Sequence, residues 1–283
     1  MILIFDADKS TSVLQGKIDT TAHQIRQLQT SFEGFERDLV DGQEMRVPVH
    51  GMDYHIKHYL NLLFTKKLVK YKDPVFGYED EQTVVAMRPE AKQIGLHTIV
   101  LDSISGMGEA IRLALIDDSK FSSMSKDLWG KYAVRLSRVT AMVRDLPVNV
   151  VVTCHIDYGE DDYGLPLHFP AVKGSQKTDM LRWFDVIVYT SVTNEGLVKW
   201  QVKQAEARPF IRSRKDIPEW AGKESVDPDF GPIYRCYAEK PVKILLIGDS
   251  GTWKTSSLLT IPIKLRGADG ANKRQPDTGE STD

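Results

Sequence analysis

The sequence predicts an α/β protein built on a mostly parallel central sheet flanked by helices, and three observations lead there. Short apolar runs rich in β-branched residues recur at 1–8, 96–103, 148–155, 184–189 and 242–247, the pattern of strands buried on both faces. Several of the segments between them place apolar residues at helical spacing. The last run leads straight into a glycine-bearing turn that closes on Lys254-Thr255, the strand, turn and helix start that cradle a phosphate.

In chain order, Met1-Ile2-Leu3-Ile4-Phe5-Asp6-Ala7-Asp8 is an apolar strand ending in two carboxylates, one of which is expected to face the phosphate site and activate water. Residues 12–40 set Val13, Ile18, Ile25, Leu28, Phe32, Phe35 and Leu39 at a loose helical spacing, and 53–68 also predicts a helix. The stretch 71–93, rich in Lys, Asp, Glu and Pro, predicts a loop or small hairpin. The run 96–103 ends in Asp102-Ser103, the shape of a Walker B element. Amphipathic helices follow at 107–117 and 125–145, the second placing Leu128, Tyr132, Leu136, Val139 and Val143 on one face.

The near-continuous β-branched run at 148–155 predicts a central parallel strand. A loop over 157–177 and a short helix over 178–183 lead into the strand at 184–189. Asn194-Glu195-Gly196 then turns the chain back into Leu197-Val198-Lys199-Trp200-Gln201-Val202-Lys203 as a hairpin. Residues 205–241 hold Pro209, Pro218, Pro228, Pro232 and Pro241, so they predict a connector rather than a sheet interior. From Gly267 the composition predicts a disordered end, which makes 263–283 a tail.

With 283 residues and 41% hydrophobic content, the chain can bury one large core or two modest ones. A formal net charge of −2 gives no global bias toward nucleic acid, so any DNA contact must come from a local basic surface. Cys154 and Cys236 form no C-x-x-C pair, which predicts a reduced, cytoplasmic protein without a zinc site. No apolar run approaches the roughly 20 residues that span a bilayer, so no membrane partner is expected.

The chemistry is clearest at Gly248-Asp249-Ser250-Gly251-Thr252-Trp253-Lys254-Thr255, followed by Ser256. Its spacing is that of G-x-x-x-x-G-K-[ST], in which the lysine reaches the β- and γ-phosphates and the hydroxyl ligates Mg²⁺. Lys254 and Thr255 stand in those places. Trp253 occupies the second glycine's position. If its φ is unsuited to the loop, strain of order 1–3 kcal/mol opposes binding; otherwise the indole lies outward or over the nucleotide. Asp102 is the expected second holder of Mg²⁺, with Ser103 assisting, although an Asp there also N-caps the segment that follows. The absence of an Asn-Lys-x-Asp guanine motif tilts the nucleotide toward ATP.

Few residues follow Lys254, so the rest of the sheet must lie upstream. The sequence therefore predicts a circularly permuted P-loop ATPase with its Walker A strand, loop and helix C-terminal. The cut falls between the first helix and the second strand, the ancestral termini join within 205–241, and 1–262 form one domain.

The order of strand-Asp-Ala-acid, Asp-Ser strand, polar-ended strand, loop, strand and Val-Lys-x-x-Val-Lys-Gln-type hairpin resembles the RecA-like recombinase ATPase core, nearest to the phage AAA/RecA-type NTPases of recombination and single-strand annealing. The resemblance implies hydrolysis of ATP to ADP with Mg²⁺ by a homo-oligomer, ring or filament, acting on single-stranded DNA in a bacterial host's cytoplasm. It places Asp8 as the catalytic carboxylate, one methylene shorter than the family's Glu. His155 becomes the γ-phosphate sensor, and Lys203 the hairpin lysine that reaches a neighbouring subunit's nucleotide. Residues 157–177 become the DNA-facing loop, its basic end Lys173, Gly174, Ser175, Gln176 and Lys177, opposed by Glu160-Asp161-Asp162. Arg208, Arg212, Arg214 and Lys215 serve as trans-acting fingers, DNA contacts or a solvated face. A second reading is an assembly or DNA-binding module in which Trp253 has ended turnover.

Overall fold

The computed structural model describes residues 1–8, 23–30, 32–40, 43–72, 79–119, 122–160, 163–249, 252 and 254–262; at 35–40, 43–48, 71–72 and 79–80 the description is of the backbone. The predicted tail lies outside the described residues. The elements run β1 (Ile2–Asp6), β2 (His23–Gln27), β3 (Glu33–Val40), β4 (Gln43–His50), α1 (Met52–Leu63), β5 (Phe64–Lys72), β6 (Glu79–Met87), α2 (Pro89–Gln93), β7 (Thr98–Asp102), α3 (Ile104–Ser119), α4 (Lys126–Arg144) and β8 (Asn149–Cys154). They continue with β9 (Ile156–Glu160), β10 (Pro166–Pro170), α5 (Gln176–Asp179), β11 (Val186–Val192), β12 (Val198–Gln201), β13 (Arg212–Ser213), β14 (Ser225–Val226), α6 (Gly231–Cys236), β15 (Lys243–Gly248) and α7 (Lys254–Ser257).

The central sheet has the order β14-β12-β11-β15-β8-β7-β1-β2, with β13 also paired to β11. From β11 to β2 every neighbouring pair is parallel, while β12, β13 and β14 close the far edge antiparallel. The last strand of the chain, β15, lies inside this sheet, parallel to β8 on one side and β11 on the other. Its residues are buried throughout, and those of β1, β7 and β8 likewise. Alternation divides them between two cores. Leu3, Phe5, Leu245 and Ile247 pack with α1, α3 and α4, whereas Ile2, Ile4, Ile244 and Leu246 pack with α6 and the segment after α7.

Several expectations change. The helix expected over 12–40 is absent from its described part, which forms β2, β3 and the start of the β3–β4 hairpin. Phe32, Phe35 and Leu39 match a helical period, but Val40 pairs with Gln43 across Asp41-Gly42, and an Asp-Gly dipeptide between two runs is a strong hairpin signal. The helix expected at 53–68 ends at Leu63, because Phe64-Thr65-Lys66-Lys67-Leu68-Val69 pairs with β6 instead. Residues 157–177 are not a free loop: Ile156–Glu160 and Pro166–Pro170 form an antiparallel hairpin. The connector 205–241 adds β13 and β14 to the sheet edge as well as the short helix α6.

Candidate functional site

The carboxyl ends of β15, β8, β7 and β1 converge on one end of the sheet, where an open α/β sheet presents its ligands. β15 ends at Gly248, whose lack of a side chain is required by its neighbours. A Cβ there would lie 2.5 Å from Thr252 Oγ1 and 2.8 Å from the Thr190 carbonyl. The turn is held from within: Thr252 Oγ1 donates to the Asp249 carbonyl at 2.7 Å, and the Thr190 and Thr252 hydroxyls share a hydrogen bond of 2.8 Å. Lys254 is buried, and its Nζ donates to the Gly248 and Asp249 carbonyls, both at 2.7 Å. Burial pushes its ammonium below the ordinary lysine value, against the pull of the Asp102, Asp249 and Asp8 carboxylates. Ser256 is half-buried in the turn that follows. The helix expected there is short, α7 passing at Leu258–Thr260 into a 3-10 turn, so side chains and loop geometry rather than a long helix dipole shape the site. Ser250, Gly251 and Trp253 lie outside the described residues.

Two strands away, Asp102 ends β7, 2% exposed. Thr255 Oγ1 donates to its Oδ2 at 2.7 Å across 153 residues of sequence, and Thr153 Oγ1, on the intervening β8, donates to its Oδ1. Thus the hydroxyl of Thr255, just past β15, meets the carboxylate closing β7, with β8 between the two strands. Carboxylate and hydroxyl oxygens are hard ligands of the kind Mg²⁺ accepts. Among the described residues, no group of three or more His, Cys, Asp or Glu side chains gathers as a metal cluster.

Asp8 lies just past β1, where Ala7 N donates to the Asp102 carbonyl at 2.6 Å. Ser103, expected to assist Asp102, donates instead to Asp8 Oδ2 at 2.6 Å and accepts from Gly106 N at 3.1 Å. His155 Nε2 lies 3.2 Å from the same Asp8 oxygen, and His155 N donates to Ser105 Oγ at 2.9 Å. Asp8 Oδ1 rests against Gly106, where a Cβ would collide with it. Burial acts to raise the Asp8 carboxyl, but the His155 and Ser103 hydrogen bonds and the charges of His155 and Lys254 outweigh it and hold the group below the usual range. His155 Nδ1 is buried without a hydrogen-bond partner among the described residues. Asp6, the register partner of Asp102 across β1 and β7, is fully buried.

Asp8, Asp102, His155, Gly248, Asp249, Thr252, Lys254, Thr255 and Ser256 therefore share one end of the sheet. Lys203 does not join them. It is exposed two residues beyond Gln201, which opposes Tyr189, so the chain there is already running away from the phosphate end. The basic stretch assigned to DNA is tied down within the molecule. Lys173 pairs with Asp157 at 3.6 Å, Gln176 is buried and accepts from Ser137 Oγ at 3.0 Å, and Lys177 Nζ lies 4.2 Å over the Phe169 ring. Arg212 donates to the Leu181 and Phe184 carbonyls, Arg214 Nη1 lies 3.7 Å from Asp185 Oδ1, and Lys215 Nζ donates to the Cys236 carbonyl at 3.3 Å. Of the Glu160-Asp161-Asp162 run, the two aspartates lie outside the described residues.

Sequence reading missed Thr153, Gly106 and Tyr158. Thr153 was signalled only as a hydroxyl one residue from the end of a buried strand, and Gly106 only as a glycine in the first turn of a helix. Tyr158 OH donates to Asp249 Oδ1 and Oδ2 at 2.7 and 2.6 Å, joining the β9–β10 hairpin to the phosphate loop.

A family model described as an AAA domain matches residues 1–214, three quarters of the chain, a span that includes Asp8, Asp102 and His155 and ends before β15. No curated protein and no solved structure matches the chain.

Proposed function

We propose that this chain, which belongs to the AAA domain family, binds Mg²⁺-ATP over Gly248 to Ser256 and hydrolyses it to ADP. One observation chiefly supports this: the 2.7 Å bond from Thr255 Oγ1 to Asp102 Oδ2, joining the two motifs that such a site needs from opposite parts of the sequence. Thr255 and Asp102 would hold Mg²⁺, which would neutralise charge on the phosphates. Lys254, whose Nζ now rests on the Gly248 and Asp249 carbonyls, would turn its charge to those phosphates.

Phosphoryl transfer needs its nucleophile positioned more than it needs a strong base. Asp8 suits that task. Its lowered pKa keeps it ionised at neutral pH, and Oδ2 is fixed by Ser103 and His155. His155, bonded to Asp8 on one side and to Ser105 through its backbone, would report the γ-phosphate by moving that carboxylate. Lys203, exposed at the sheet edge, would act toward a neighbouring copy in a homo-oligomer. Single-stranded DNA as partner and recombination or annealing as setting rest on the RecA-like resemblance. Circular permutation is supported by β15, which follows every other described strand yet lies in the sheet interior beyond the family-matched span.

The test is calorimetry of Mg²⁺-ATP binding to the purified chain and to Lys254→Ala, followed by phosphate release. Micromolar binding that Lys254→Ala abolishes, with measurable release, is the expected result. Absence of binding to the parent chain overturns the proposal.

A further inference from the structure

Beside the phosphate loop, on the side away from Asp102 and Asp8, a cavity of about 360 Å³ opens between the β9–β10 hairpin, the end of β11 and the connector. We propose that it is the nucleoside subsite, receiving the base and ribose of a nucleoside triphosphate whose phosphates lie in the loop; this rests on the function proposed above. Asp249 and Thr252 line the cavity and belong to the loop, so the cavity adjoins it. Asp102, Asp8 and His155, to which the proposed function gives Mg²⁺ holding, water activation and γ-phosphate sensing, stand at or just past the ends of β7, β1 and β8, which puts the γ-phosphate on that side. The rest of the nucleotide must then leave over β11, where this cavity is.

Its lining suits a flat, acceptor-rich heterocycle. Tyr158 and His168 meet edge to face, with ring centroids 5.0 Å apart, and the Tyr189 ring lies 6.2 Å from His168. The polar groups of the lining are partly committed to one another and to the loop. Tyr158 OH is spent on Asp249 and Tyr189 OH on the His168 carbonyl. Arg208 Nε donates to His168 Nδ1 at 3.3 Å, which puts the imidazole proton of a neutral His168 on Nε2. The Arg208 guanidinium lies 5.9 Å from the Tyr189 centroid and lines the cavity. A volume of this size falls in the range of small-molecule sites. The hairpin assigned by resemblance to DNA would thus wall the nucleotide, with Tyr158 fastening it to the loop.

Calorimetry with Mg²⁺-ATP and Mg²⁺-tripolyphosphate separates the nucleoside's contribution from that of the phosphates. The parent chain should bind ATP at least about tenfold more tightly than tripolyphosphate, and Arg208→Ala should remove most of that difference while leaving tripolyphosphate affinity within about twofold. Equal affinity of the parent chain for both ligands overturns the subsite and leaves the phosphate loop standing. A variant that weakens both ligands alike, or neither, also overturns the assignment. Failure of the parent to bind either ligand overturns this inference and the proposed function together.

Discussion

Replacing Lys243 with Met tests how β15 is seated. Lys243 opens β15, is 7% exposed, and donates from Nζ to the Leu146 and Val148 carbonyls at 2.7 and 2.6 Å. Burial pushes its ammonium from the ordinary 10.5 down to about 8, against the opposing pull of Asp185 and Asp145. The folded chain therefore holds this proton less tightly than the unfolded chain. Below about pH 8 both states carry it, and the whole cost of burial stands. Between about 8 and 10.5 the folded state sheds the proton first, so stability rises with pH. At 1.36 kcal/mol per pH unit, the parent should gain about 2.5 kcal/mol from pH 7 to pH 10 through this group alone. A neutral amine still has two N–H donors for the two carbonyls, so those bonds survive deprotonation. Lys243→Met escapes the burial cost but leaves both carbonyls without that donor, at about 1–3 kcal/mol in total. The two stabilities should therefore lie close at pH 7, with the parent pulling ahead as pH rises. Urea unfolding of both proteins at pH 7, 8, 9 and 10 measures the difference, from which groups titrating alike in both cancel. Parallel curves, with a difference that changes by less than about 0.5 kcal/mol across the range, refute the reasoning.

Two more predictions concern other buried charges. Arg135 clasps Asp53 through Nε at 2.8 Å and through Nη2, with both side chains nearly buried and the His50 carbonyl as a further acceptor at 3.0 Å. Asp53→Ala should lose about 3–5 kcal/mol in urea unfolding because it strands a buried guanidinium, and Asp53→Leu with Arg135→Met should recover most of that. Ser103→Ala removes a hydrogen bond that favours ionised Asp8, so the Asp8 pKa must rise and the acid limb of turnover must move to higher pH. Mg²⁺-ATP affinity should stay within about twofold, since Asp102 and Lys254 are untouched; a shifted affinity with an unmoved acid limb would remove Ser103 from the positioning of Asp8.

Much of this architecture was legible in the residues. Strands buried on both faces must be apolar at nearly every position, so β1, β7, β8, β11 and β15 announced themselves, as did the long amphipathic α4. The tight turn after β15 was legible too, because Gly248 stands where any Cβ would meet Thr190 and Thr252. The hairpins were harder to read. Exposed or half-exposed strands such as β9 need little apolar surface, and a loose apolar period fits either structure.

What the tertiary structure alone decided is which side chain meets which. Nothing in the residue types says that Ser103 gives its proton to Asp8 rather than assisting Asp102, or that Thr153 shares Asp102 with Thr255. Nor does their spacing predict that Tyr158 fastens a hairpin to Asp249. A strand's burial depends on its own residues and so is written locally. A hydrogen bond between positions up to 153 apart depends on strand order, register and the direction of each hydroxyl, and those exist only once the sheet has formed.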